Sequence, residues 1–150
     1  MNDGIFIPFS KATGEAFKMM LNLEASTEEP EVRDAVPNTG SDLNIAIDVT
    51  GDLTGEVLYR FPKKTALEMV KIMCGMEFEE IDEFVTSAMG EIANIISGNA
   101  MTGLSEQNII CDIQPPKVLV GEYEMAQVLP VLCANVRTGV GDVELDVQLS

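Results

Sequence analysis

The sequence contains no histidine, and only nine lysines and arginines stand against 25 aspartates and glutamates. Each shortage removes a class of chemistry. Without histidine there is no Ser-His-Asp or Cys-His catalysis, no imidazole metal ligand and no phosphohistidine carrier. A formal charge of −16 leaves no cation cluster to neutralise phosphates, which excludes most nucleic-acid roles. The same balance disfavours an anionic membrane surface, and no apolar run approaches the ~20 residues of a membrane span. Cysteine is scarce. Cys74, Cys111 and Cys133 lie far apart with no CxxC pair, so a zinc ribbon or thioredoxin-like motif is absent. All three sit among apolar residues and are expected to be small buried hydrophobes. The opening Met1-Asn2-Asp3-Gly4 lacks the basic start of a secretory signal, so a cytoplasmic location is expected.

What the chain does have is material for a core. Hydrophobic residues make up 46% of its 150 positions. That suits a single domain over residues 1–150, burying about 70% of its unfolded surface. Pro8 suits the first turn of a helix running to about Leu23, with Phe9, Thr13, Ala16, Phe17 and Met20 along one stripe. The polar stretch Glu24 to Gly40 holds Pro30 and Pro37 and reads as an irregular or edge strand with loops. Leu43, Ile45, Ile47 and Val49 alternate, as do Val57, Tyr59 and Phe61, around a two-glycine turn. This pattern is a hairpin.

Thr65 to Cys74 reads as a short helix stopped by Gly75. Phe78 to Leu104 reads as a helix roughly 40 Å long. The acidic opening from Glu77 to Glu83 suits the positive end of a helix dipole, and it lacks the spaced pattern of a calcium loop. Beyond Asn108 the pattern turns β-like, at Ile109 to Ile113 and at Val118 to Val120. A second hairpin pairs Leu129 to Arg137 with Gly141 to Leu149 across Gly139 and Gly141. The lone Gly139-Val140-Gly141 has no helix after it and is not read as a phosphate loop. Helices and strands are grouped rather than alternating. The fold class is therefore α+β: a layered domain with a mainly antiparallel β-sheet packed against two long helices and a short one.

The long helix carries the notable surface. Its apolar stripe is Ile81, Val85, Ala88, Ile92, Ile95 and Ile96. Glu83, Ser87, Glu91, Asn94 and Gly98 fall opposite, within roughly an 80° arc at ~100° per residue. Every amphipathic helix has a polar face, but two features set this one apart. Asn94 is a poor helix former in mid-helix. Gly90 and Gly98 each cost about 1 kcal/mol relative to Ala. Small residues there let another surface approach closely, or serve tight packing inside the chain.

Ser87-Ala88-Met89-Gly90-Glu91-Ile92-Ala93-Asn94 resembles the (Asp/Ser)-xxx-Glu-xx-Asn motif of the CheC/CheX/FliY family of phosphatases. The flanking Glu80 to Glu83 and Ile96 to Ala100 are similar to that family's central helix. Pro8-Phe9 with Phe17 and Met20 resembles its first helix, and Gly51 to Gly55 with Phe61-Pro62 its first hairpin. The first helix here has no ExxN, so the single-site CheX type is the better match. The family pattern also has a proline some two dozen residues past the Asn, and Pro115 and Pro116 lie in that region.

The resemblance implies a phosphatase for the aspartyl phosphate of a CheY-like response regulator. Asn94 would orient the attacking water, and Glu91 would pair with a lysine of the regulator. Ser87, Gly90 and Gly98 would flank the contact. It implies no cofactor or metal on this chain, with Mg²⁺ held by the regulator, and it implies a homodimer. Two other readings of the same helix stay open. One is a non-catalytic module that docks a regulator or flagellar switch protein. The other is a scaffold or dimerisation domain.

Overall fold

The computed structural model describes residues 3–33, 42–121 and 130–150. Three helices and eight strands follow in the order α1 (Asp3–Leu21), β1 (Ala25–Thr27), β2 (Glu31–Arg33), β3 (Leu43–Gly51), β4 (Gly55–Phe61), α2 (Lys63–Cys74), α3 (Glu83–Ser105), β5 (Cys111–Ile113), β6 (Lys117–Val120), β7 (Val131–Thr138) and β8 (Gly141–Leu149). This is the expected α+β layering. The two hairpins β3–β4 and β7–β8 form as their alternation predicts. Residues 34–40 of the expected edge region, and Leu129, lie outside the described residues.

The hairpins join through β4 and β8, with Tyr59 opposite Leu145 and Val57 opposite Val147. The short strands β1 and β2 both pair with β7, and β5 and β6 both pair with β3. Every pairing is antiparallel. The residues Leu43, Ile45, Ile47, Val57, Tyr59, Phe61, Leu145 and Val147 point to one face and bury against the helices. Phe9, Phe17, Val85, Met89, Ile92 and Ile96 meet them from the helix layer. Side chains at alternate strand positions and one helix stripe thereby close a single core.

Three local expectations are corrected. Pro8 is not in the first turn: α1 already runs from Asp3, and Pro8 lies inside it. A proline there removes an N–H from the i→i−4 ladder. The carbonyl it cannot bond, Gly4 O, accepts from Gln107 Nε2 at 3.0 Å. Gly103 on α3 fits closely against the Pro8 ring, where a Cβ would stand 3.0 Å from Pro8 Cβ. The long helix begins at Glu83 rather than Phe78, because the Asp82 carboxylate caps it by accepting from Val85 N at 2.9 Å. Of the acidic run, only Glu83 is in the first turn. Cys74 is exposed, whereas Cys111 and Cys133 are buried. The apolar neighbours Ile72, Met73 and Met76 are themselves exposed where α2 ends. Gly75 terminates α2 as expected, in the left-handed region at φ 74°.

The second face of the sheet is unusual. Asn44, Arg60 and Asp146 are all buried there. They stand beside a small apolar cluster of Ala46, Leu58, Val131 and Cys133. Arg60 lies opposite Glu144 in register and its Nη1 donates to Glu144 Oε2 at 3.0 Å. Asp146 lies between Leu58 on β4 and Cys133 on β7. Neither of its carboxylate oxygens has a hydrogen-bond partner among the described residues, and Arg60 Nε is 4.0 Å away.

Candidate functional site

Helix α3 lies across the core face, with Val85, Met89, Ile92, Ala93, Ile96, Ser97, Ala100 and Leu104 buried. The buried stripe is rotated slightly from expectation, since Ala88 and Ile95 are only half-buried. Its angular position is pinned by a polar contact that the sequence reading missed. The hydroxyls of Tyr59 on β4 and Ser97 on α3 are 2.7 Å apart and share a buried hydrogen bond. Burial holds the Tyr59 phenol above its usual pKa, so it stays protonated. A lone hydroxyl four residues past Ala93, on the buried stripe, was the available signal. A hydroxyl there needs a partner.

With the buried face fixed, the opposite face follows. Ser87 and Glu91 are exposed, and Asn94 and Gly98 are half-buried. Glu91 and Asn94, three residues apart, are neighbours on the helix surface. The two glycines divide between the explanations left open by sequence. Gly90 is buried, and a Cβ there would meet Val118 Cγ2 at 3.3 Å and Pro116 Cγ at 4.0 Å. The close approach at Gly90 is thus made by this chain's own β6 and the residue before it. Gly98 has nothing within 4 Å of where its Cβ would be among the described residues, which leaves room there for another surface to approach. Of the two prolines in question, Pro116 packs beside the motif.

Two grooves lined by described residues lie elsewhere on the molecule. One runs between α1 and α3 past Ile7, Lys11, Asn99 and Thr102. Another lies beside α2 at Pro62, Leu67 and Phe78. Glu91 and Asn94 line neither. Among the described residues, no three Cys, Asp or Glu side chains converge as metal ligands, and no helix is long and apolar enough to cross a membrane. Chemically, the face offers a carboxylate and a carboxamide side by side on a rigid rod. A carboxamide both donates and accepts hydrogen bonds. Neither group is enclosed, so the pair suits chemistry on a group presented by a second molecule.

Comparison with known proteins bears on the family and the fold. The family model described as chemotaxis phosphatase CheX matches residues 43–136. CheY-P phosphatase CheX of Thermotoga maritima is 33% identical over 108 residues, covering 71% of this chain and 69% of the relative. Among solved structures, chemotaxis protein CheX of Desulfovibrio desulfuricans superposes with a TM-score of 0.89 at 26% identity, covering 97% of this chain and 99% of that one. CheX of Borrelia burgdorferi, solved with CheY, BeF₃ and Mg²⁺, has a TM-score of 0.78 at 20% identity and 96% coverage of each chain. The last is a likeness of fold. The matched span contains the whole Ser87 to Asn94 motif, and by that match and the Thermotoga relative this chain belongs to the chemotaxis phosphatase CheX family.

Proposed function

We propose that this chain hydrolyses the aspartyl phosphate of a CheY-like response regulator. The observation that carries the reading is the open, adjacent placement of Glu91 and Asn94 on α3, in a chain 33% identical to a CheY-P phosphatase. An acyl phosphate is already activated, so its hydrolysis needs mainly an oriented water. In the proposed step the water oxygen attacks phosphorus in line. The bond from phosphorus to the aspartyl oxygen breaks, leaving inorganic phosphate and a free carboxylate. The Asn94 carboxamide holds the water, and the Glu91 carboxylate pairs with a lysine beside the phosphorylated aspartate. Mg²⁺ belongs to the regulator, and this chain supplies no cofactor. Ser87 and Gly98 border the contact. Gly90 acts indirectly, by seating β6 under the helix.

The test is release of phosphate from a panel of phosphorylated response regulators. Binding without release on every regulator would make the chain a docking module instead. Within the same assay, Glu91→Ala is expected to weaken both docking and turnover, each by about tenfold, since a charged contact at an interface serves both. Its melting temperature should stay near wild type, because an exposed side chain contributes within about 0.5 kcal/mol. Unchanged KM in Glu91→Ala would contradict the lysine pairing.

A homodimer is part of the same proposal. The outermost described strands are short, and β6 exposes Val120 and part of Leu119. Edges of this kind favour association between copies. Light scattering at protein concentrations of about tens of micromolar should give twice the chain mass, and a monomer mass would reject it.

A further inference from the structure

Phe84 is a large apolar side chain in the first turn of α3, yet it is 53% exposed. Its ring is not loose. It stacks on Phe78, with centroids 5.3 Å apart and planes at 11°. Phe78 in turn packs against the core. The exposed ring is therefore held in one place before any partner arrives, which lowers the ordering cost of a contact. Its direction is informative. Seven residues separate Phe84 from Glu91, so the two lie about 20° apart around the helix and roughly two turns apart along it. Any surface that covers Glu91 and extends toward the start of α3 also covers Phe84. Glu79, Glu80, Asp82 and Glu83 surround this end of the helix and are all exposed; Glu80 pairs with Lys63 at 2.9 Å and Asp82 caps the helix, which leaves the rim with a net negative charge.

We infer that Phe84, braced by Phe78, is a specificity-determining contact that receives an apolar side chain flanked by basic residues on the response regulator. This rests on the phosphatase reading above and extends its footprint beyond the Glu91–Asn94 pair. The acidic rim selects the sign of the partner's charge, and the ring selects its shape. A second copy docking here through the same helix end is the poorer occupant, because Glu79, Glu80, Asp82 and Glu83 of each copy would face one another.

The experiment measures KM and kcat for phosphate release across the regulator panel, with affinity for the preferred regulator loaded with beryllofluoride. Phe84→Ala is expected to raise KM for the preferred regulator about tenfold, the scale of truncating an aromatic interface contact. It should weaken the beryllofluoride complex equally and leave kcat within about twofold. Discrimination between regulators should narrow. Thermal melts accompany each variant, and Phe84→Gln decides the matter should the alanine variant melt below the assay temperature. Wild-type KM and affinity in a folded variant, or a fall in kcat alone, would overturn this inference and leave the phosphatase reading standing. Failure of the wild-type chain to release phosphate from any regulator would overturn both.

Discussion

Asn94→Ala is expected to reduce phosphate release about 10²-fold while binding to a beryllofluoride-loaded regulator persists. The magnitude is that of losing one oriented hydrogen-bonding group aimed at the reacting centre. The separation of effects follows from where the contact is made. A water aligned for in-line attack is held in the transition state, so its loss falls on kcat rather than on affinity. Asn94 is half-buried and sits mid-helix, where alanine is the better helix former. The variant should therefore melt at or slightly above wild type. Wild-type turnover in Asn94→Ala would remove the water-positioning role. Unfolding of the variant would make Asn94 a structural residue.

The second large effect concerns the outer face of the sheet and is read as stability against pH. Burial, reinforced by the negative charge of Glu144, pushes the Asp146 carboxyl up to about 7, although Cys133 and Arg60 pull the other way. Unfolded, the same group titrates near 3.9. Between these values the folded chain keeps a proton that the unfolded chain has released. The stabilisation is complete below about pH 4 and falls by roughly 1.4 kcal/mol per pH unit. By about pH 7 it is gone, and the curve flattens. Glu56 and Arg60 on β4, Cys133 on β7, Glu144 on β8 and Arg33 on β2 are the charged or titratable groups around it. Asp146→Asn keeps the shape and removes the titration. Chemical denaturation from pH 4 to 9 should show wild type losing stability on the alkaline side relative to the variant, with the two curves converging in acid. Parallel curves would place the ionised carboxylate in a compensated site.

The same outer face marks a limit of sequence reading. Glu144, Asp146 and Gln148 alternate with Val143, Leu145 and Val147, the ordinary pattern of a strand with one wet face. Asp146 of that polar set is buried with Leu58 and Cys133 opposite it on other strands, which no local pattern encodes. The apolar alternations of both hairpins and the stripe of α1 were legible, because period and burial coincide there. The start of α3 was not. Glu79, Glu80 and Ile81 suit a helix by composition, but Asp82 caps the next turn and Phe78 is drawn into its stack. Pro8 was misplaced because its rescue comes from Gln107, far along the chain. In the site, Glu91 and Asn94 were legible, since their adjacency needs only helical spacing. The difference between Gly90 and Gly98 was not, because it is made by Pro116 and Val118.

The junction of β4 with β8 also bears on how the chain is made. Synthesis delivers β8 about 80 residues after β4, which at roughly 5–20 residues per second is a delay of several seconds. Throughout it β4 can pair only with β3 while its other edge stays open, and the apolar residues Val57 and Tyr59 lack their partners Val147 and Leu145 on β8. An open apolar edge is a template for pairing with another chain. The sheet can close only by a long-range contact, the kind that forms slowly. The buried centre of the finished sheet is thus the nascent chain's most vulnerable margin, and Glu56 and Arg60, which interrupt its apolar run, act there as charged gatekeepers against aggregation.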